Sequence, residues 1–420
     1  MDPEWLLAWR EPVLKRANIL FVTWDGPQVS YLESLFLPIF KELAKLGHAF
    51  HVLQFTWGAA EQRAATKTAC EASGCTYRSV PVLRRPVAAG SLVTAVLASR
   101  QVRQAIVEGG IDIVLARSTL PAFTSRLALR HLPAVRLLFD ADGLPHDERV
   151  DFGGWKPDGI AYRMLRDLEA SAVRRADAVL TRSRKAVEIL LARAGAGTSA
   201  GKFYVVGNGR DAEVFHPAAG PARAQVRREL GISDTAAVLV YAGSMGDQYC
   251  VPEMLEFFQL VRHRRADVQL LLLTGSPQEA ARRVGDAVDQ SGVHILRAAG
   301  GDVPRYLGAG DLGLALRRPS FSMQAVAPVK LGEYLLCGLP VLATRAIGDS
   351  DEQVSQQAGR SLATMSSTEL EAAADWFVDE VLQDRAGFGA RSRQAGLRHF
   401  SLASTVDAYA GAIEAIAVSR

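Results

Sequence analysis

The chain is poor in cysteine: four in 420 residues, Cys70, Cys75, Cys250 and Cys337, with neither a zinc-binding spacing nor a disulfide framework among them. That excludes a zinc module and a disulfide-stapled scaffold, and Cys337, set in an apolar stretch, reads as a core thiol. No run of about 18 apolar residues occurs, which excludes a membrane-spanning helix. Net charge is also small, +3, and its positive part is scattered over pairs such as Arg84-Arg85, Arg174-Arg175, Arg282-Arg283 and Arg317-Arg318. Nucleic-acid binding would need a denser basic patch with interleaved aromatics, so no nucleic-acid partner is expected. A Walker A motif is absent.

What is abundant is apolar sequence. Hydrophobic residues make up 49% of the chain and charged residues 22%, enough for sizeable cores, and the length suits two domains of about 200 residues. The stretch from Met1 to Pro12 carries acidic residues and prolines, unlike a secretory signal. With reduced cysteines this predicts a cytoplasmic protein. Trp5 and Trp9 either pack on the body of the protein or touch the inner face of a membrane, a peripheral contact.

From Ala17 the order strand, loop, helix, strand repeats. Strands are predicted at Asn18 to Thr23, Ala49 to Phe55, Thr76 to Val82, Ile111 to Ala116, Arg136 to Asp140, Ala178 to Thr181 and Phe203 to Val206. Helices are predicted near Leu32 to Leu46, Leu92 to Glu108 and Lys156 to Arg175. The turn-rich segment from Gly207, with Phe215-His216-Pro217 and the Ala/Gly/Pro run Ala218 to Ala222, marks a junction. The alternation then restarts, with strands at Val238 to Ser244, Gln269 to Thr274, His294 to Leu296, Leu312 to Leu316 and Val341 to Thr344, and helices at Pro252 to His263 and Gln278 to Gln290. The pattern predicts an α/β protein of two doubly wound parallel sheets, over residues 1–206 and 207–400. A last amphipathic helix over about 401–420 carries Leu402, Val406, Tyr409, Ile413 and Ile416 at helical spacing. Ligands bind such sheets beyond the carboxyl ends of the strands. Two facing sheets therefore gather Trp24 to Pro27, Asp140 to Pro145, Gly243 to Gly246, Arg317 to Ser320 and Pro328 to Glu333 around one cleft.

The segment from Pro328 to Thr344 predicts a short helix and then a buried strand, with Pro328 at the first helical position and Gly338 closing the helix. Leu331 and Leu335 share one face and Lys330 and Glu333 another. Lys330 and the helix start suit a phosphate, and Glu333 suits sugar hydroxyls; the same pair is also compatible with a plain surface ion pair. Gly207-Asn208-Gly209-Arg210-Asp211-Ala212 formally matches a dinucleotide fingerprint, but Phe215-His216-Pro217 denies it the following helix, so its glycines read as turn residues. Asp140-Ala141-Asp142 is either a metal-binding pair or a hydrogen-bonding one, the latter preferred because no second acidic ligand cluster accompanies it. His146 follows in a predicted loop and suits substrate binding or acid–base chemistry, or simply the surface. Gly243-Ser244 ends a strand where backbone N–H groups could approach a phosphate, or forms a plain turn.

Taken together these segments resemble the retaining glycosyltransferases of the GT-B class, and within them family four (group 1). Phe139 to Glu148 resembles the family's "D-x-R-G…DE" block, and Asn208 to Pro217 its "N-G-V-D…F-x-P" linker. Gly310-Asp311-Leu312-Gly313-Leu314 precedes the fourth and strongest match, Pro328 to Val341, which resembles "S-P-x-K-x-x-E-Y-x-A-x-G-x-P-V". The resemblance implies a nucleotide-diphosphate-sugar donor in the second domain. Glu333 would bind the ribose hydroxyls, and Lys330 with the helix end at Pro328 and Val329 would neutralise the diphosphate. Gly243 and Ser244 would lie by the donor, Arg297 near its base, and Arg317 would supply further positive charge. Asp25, Gly26, Asp140, Asp142 and Gly143 would face a glycan, lipid-linked or small-molecule acceptor, with Asp142 and His146 joining Lys330 as candidate catalytic groups. The family generally needs no metal or other cofactor, and its last helix crosses back onto the first domain. Three positions depart from the pattern: Ala325 and Asp142, where relatives carry Glu and Arg, and Gly243 to Gln248, which holds neither the usual Arg nor Lys. A nucleotide-sugar epimerase of the same fold and a non-catalytic nucleotide-binding relative are the competing readings.

Overall fold

The computed structural model describes residues 16–26, 31–82, 93–285, 291–298, 301–354 and 357–417. Trp5, Trp9, Arg84-Arg85, Pro27, Leu92, the end of the helix predicted up to Gln290, and residues 299–300 beside Arg297 lie outside the described residues.

Two parallel sheets form among the described residues. The first contains β1 (Asn18–Asp25), β2 (Ala49–Thr56), β3 (Thr76–Pro81), β4 (Ile113–Arg117), β5 (Arg136–Asp140), β6 (Ala178–Thr181) and β7 (Phe203–Val205). Its order is β3-β2-β1-β4-β5-β6-β7. The second contains β8 (Val238–Ala242), β9 (Gln269–Leu273), β10 (Val293–Leu296), β11 (Leu312–Ala315), β12 (Val341–Thr344) and β13 (Gly359–Leu362), in the order β10-β9-β8-β11-β12-β13. Each sheet changes winding direction beside its first strand, at β1/β4 and at β8/β11. A doubly wound sheet opens its ligand crevice at such a point.

The central strands are apolar on both faces because helices cover both, and β8 is buried along its whole length. Helices at Ala60–Ala72, Thr119–Ala128 and Arg184–Ala194 complete the winding of the first sheet. Two local expectations need correction. Pro145–Asp151 is a helix rather than a loop, started by Pro145 in its first turn. Gly220–Glu229 is likewise helical, so the break after Phe215 is shorter than the Ala/Gly/Pro composition suggests.

The chain passes between the two halves twice. It enters the second at Asn208 to Arg210 and returns at Phe400 to Leu402. The passes are tied together: Arg210 N donates to Phe400 O at 2.8 Å, and Leu402 N donates to Arg210 O at 2.8 Å. Helix Arg385–Phe400 packs on helix Val329–Leu336, whereas helix Leu402–Ala417 inserts Val406, Tyr409 and Ile413 into the first sheet's core beside Phe21 and Phe36. No described helix is long and apolar enough to cross a membrane.

Candidate functional site

A cavity of about 700 Å³ opens between the two sheets, at the carboxyl ends of their strands. Its second-domain wall is built on helix Val329–Leu336. Leu331 and Leu335 are buried on one face and hold it to the sheet. Gly338, at φ +71, ends it as its sequence position predicts. Pro328 differs by one residue: it is the extended N-cap, and the helix begins at Val329. The free first-turn N–H groups and the positive end of the helix dipole thus lie at the cavity, beside Lys330 and Glu333, which both line it.

Lys330 and Glu333 do not pair with each other. Lys330 Nζ donates to Tyr241 Oη at 2.7 Å and sits over two rings, 4.2 Å from the centre of Tyr241 and 3.8 Å from that of Tyr249. Arg317 covers the same Tyr249 ring at 5.1 Å, so one aromatic ring carries two cations. Burial pushes the Lys330 ammonium well below the ordinary lysine range, Arg317 pushes it further, and Glu333 opposes both. A half-buried ammonium beside another cation, with no carboxylate among the described residues in ion-pair contact, favours any ligand that supplies negative charge. Space for Lys330 exists because residue 243 is glycine. At φ +153 it occupies backbone territory that side chains disfavour, and a Cβ there would overlap Lys330 Cε and Nζ.

Glu333 is instead held by Arg210, whose Nε donates to Oε1 at 2.9 Å. Burial raises the Glu333 carboxyl above the usual carboxylate range, and Arg210 pulls it back. Oε2 accepts no hydrogen bond from the described residues and belongs to a side chain that faces the cavity.

The first-domain wall is organised by two buried arginines. Arg117, the last residue of β4, donates to Asp142 Oδ2 at 2.7 Å and to Asp25 Oδ1 at 3.4 Å, with its guanidinium 4.9 Å from the rings of both Tyr31 and Phe36. Arg182, just beyond β6, donates to Asp140 Oδ2 at 2.7 Å. Asp142 takes a left-handed conformation, φ +52, and its backbone N–H donates to Asp140 Oδ1 at 3.2 Å. Asp142 therefore stays partly exposed at the cavity while Asp140 is fully buried. Glu148 lines the same wall. Burial raises its carboxyl, and Arg317, across the cleft, is the main opposing influence.

The structure brings Asp142, Gly143, Gly243, Ser244, Arg317, Pro328, Val329, Lys330 and Glu333 together around the cavity. Asp140 is not there: with both oxygens engaged, it holds the loop rather than presenting to a ligand. Asp25 is likewise turned inward, onto Arg117 and Thr23, and its neighbour Gly26 lies against the Trp57 ring. His146 is displaced too. Its helix carries it into the interior, where Nε2 meets Thr119 Oγ1 at 2.8 Å and burial depresses its pKa to about 4. A neutral, interior imidazole is not positioned to exchange protons with a cavity ligand. Arg297 is exposed and off the lining, where its neighbour Ala298 stands. The paired-carboxylate metal reading loses its free ligands to the two arginines, and no group of three His, Cys, Asp or Glu among the described residues could hold a metal ion.

Sequence reasoning missed Arg117, Arg182, Arg210, Tyr241 and Tyr249. The first two stand at the carboxyl ends of strands, which could have flagged them. Arg210 occupies the valine position of the linker block, a visible departure. The tyrosines gave no signal of their own. Ala325 packs against the apolar cluster that holds Ala141 and Leu144 and also lines the cavity, its carbonyl oxygen 3.2 Å from where a Gly143 Cβ would stand.

Two family profiles match the chain. The one described as "Glycosyl transferase 4-like domain" covers residues 35–209, and "Glycosyl transferases group 1" covers residues 236–380. No curated protein matches this sequence. Among solved structures, Anabaena Alr3699/HepE in complex with UDP-glucose is similar at a TM-score of 0.71, with 17% identity over 96% of this chain and 99% of its own. A glycosyltransferase from Rickettsia africae reaches 0.72, with 14% identity over 97% and 100%. WaaG, a glycosyltransferase involved in lipopolysaccharide biosynthesis, reaches 0.65, with 17% identity over 93% and 98%. At such identities these likenesses speak to the fold, two α/β domains facing a cleft in the GT-B manner.

Proposed function

Because the chain belongs to the group 1 glycosyltransferases, with a glycosyl transferase 4-like first domain, we propose that it moves a sugar from a nucleotide-diphosphate sugar to an acceptor hydroxyl with retention of anomeric configuration. The observation that carries this is the separation of Lys330 from Glu333: two charged groups on the first turns of one helix, each facing the same cavity and neither neutralising the other. A nucleoside diphosphate needs that division. Its ribose hydroxyls donate to Glu333 Oε2, while its diphosphate meets Lys330, Arg317 and the first-turn N–H groups.

The acceptor enters from the first-domain wall, where Asp142 and Glu148 can orient its hydroxyls. In the transfer the acceptor oxygen forms a bond to the anomeric carbon on the face the diphosphate is leaving. The bond from that carbon to the phosphate oxygen breaks, and the acceptor proton passes to the departing diphosphate. Charge on that leaving group is what Lys330, Arg317 and the helix end stabilise, which is the role a divalent metal has elsewhere, so turnover is expected to survive chelation. The acceptor is a saccharide, a lipid-linked glycan or a small molecule, and the reaction is assigned to the cytoplasm or its membrane face.

The test is incubation of the full chain with UDP-glucose and a panel of other nucleotide sugars, with and without EDTA, following free nucleoside diphosphate and the anomeric configuration of the product by NMR. Release of diphosphate with retention is expected, together with loss of donor affinity in Glu333→Gln. An inverted product, or epimerised donor formed without acceptor, refutes the assignment.

A further inference from the structure

The carboxylate that the proposed function gives to the ribose is not held by its own domain's helix but by the linker. Arg210 Nε donates to Glu333 Oε1 at 2.9 Å, across 123 residues of sequence, and both side chains are largely buried. The same guanidinium reaches into the first domain, where Nη1 donates to Ser34 O at 2.9 Å. Ser34 belongs to the turn Leu32–Phe36, whose Phe36 ring supports Arg117 and so the first-domain wall. The root of Arg210 is fixed too, since its N–H and C=O bond Phe400 and Leu402 on the return pass. One residue thus has its backbone at the crossing and its head between the two walls.

From this geometry we infer that Arg210 is a positioning residue that makes ribose recognition and closure of the cleft a single event. The inference rests on the reading of Glu333 as the ribose carboxylate. A one-point contact through Nε orients Glu333 while leaving Oε2 for the ligand, whereas a two-point pair would consume both oxygens. If the walls separate, Ser34 O is drawn away from Nη1 and the guanidinium loses the second anchor that aims it. Glu333 then becomes a buried carboxylate with a loosened partner, a poorer acceptor for two hydroxyls. A nucleotide on Oε2 consequently favours the arrangement in which Arg210 also holds Ser34. The donor site is complete only when the cleft is closed, although Arg210 itself need not touch the donor. The valine of the resembling linker block has no group to do this.

The experiment uses the full chain with UDP as probe, titrated by calorimetry and followed by small-angle X-ray scattering. The variants are Arg210→Met, Arg210→Lys, Glu333→Gln and the double variant Arg210→Met/Glu333→Gln. Wild type is expected to compact on adding UDP. Arg210→Met should weaken UDP at least about tenfold, the scale of one charge-assisted hydrogen bond, and abolish compaction. Arg210→Lys, which keeps a cation and one reach, should recover most of the affinity. In the Glu333→Gln background the Met substitution should add less than about twofold, because the contact is already broken. Affinity within twofold of wild type in Arg210→Met, effects that multiply in the double variant, or a wild type that does not compact would overturn the inference. Should Glu333→Gln itself bind UDP normally, the ribose assignment falls and this inference with it, a pattern distinct from failure of Arg210→Met alone.

Discussion

Replacing Gly243 with alanine should separate the donor-side cation from the stability of the fold. The added methyl overlaps Lys330 Cε and Nζ and lies 3.3 Å from Tyr241 Oη. It meets the far end of a flexible side chain, so the backbone is not forced apart. Two stability costs remain. A non-glycine residue at φ +153 is strained by about 1–3 kcal/mol. Losing the hydrogen bond from Lys330 to Tyr241 adds about 1 kcal/mol. Melting should therefore fall by several degrees without loss of the folded state. The catalytic cost is larger in proportion. Lys330 is held against the rings of Tyr241 and Tyr249, and the methyl would displace its ammonium from both. A reacting or charge-stabilising group misplaced by about 1 Å costs on the order of 100-fold in rate, or about 2.7 kcal/mol. The assay is initial velocity of nucleoside diphosphate release against donor concentration, beside a thermal melt. Activity within threefold of wild type in a folded Gly243→Ala protein would refute the claim that Lys330 must occupy this position.

Two further outcomes follow from burial. The His146 pKa is depressed to about 4 from 6.5, so the folded state binds fewer protons than the unfolded state between those values. Its stabilising contribution, up to about 3 kcal/mol, is complete above about pH 6.5 and lost as pH falls through about 4; His146→Gln should flatten the melting temperature over that range, and an unchanged pH slope would contradict the burial. Introducing the relatives' residue, Ala325→Glu, should lower both stability and activity. It sets a carboxylate beside the apolar side chains of Ala141 and Leu144 at the cavity wall, costing about 3 kcal/mol, and a variant as stable and active as wild type would mean that the cavity accommodates the added carboxylate.

Much of this architecture was legible because parallel strands covered on both faces leave continuous apolar runs. Arg136–Asp140 and Ala178–Thr181 are strands at the boundaries their composition predicts. The helix at Val329–Leu336 was readable from Leu331 and Leu335, and its charged face from Lys330 and Glu333. What escaped had no such run. Strand β13, Gly359–Leu362, is a four-residue sheet edge with two half-buried positions. Helix Ala60–Ala72 buries only Cys70, so it lacks an apolar stripe. The site itself was half visible. Which residue types stand at strand ends is a local property. That Arg117 would answer Asp142, or Arg210 answer Glu333, depends on pairings between segments far apart in sequence, and no spacing rule encodes them. His146 shows the converse error: a residue type suited to proton transfer near neutrality was turned inward by a helix whose presence the loop-like sequence concealed.

The return of the chain at Phe400 to Leu402 has a practical meaning for anyone recombining this protein with its relatives. Tyr409 from helix Leu402–Ala417 donates to Asp140 Oδ2 at 3.4 Å, so the carboxylate that braces the first-domain wall is completed by a residue 269 positions further along the chain. A chimera cut once in the linker would unite a first domain with a foreign final helix and disturb both the apolar core around Phe21 and the bracing of Asp142. Exchange of one half for another must therefore carry two separate pieces of sequence, cut on either side of the paired crossing at Arg210 and Ser401.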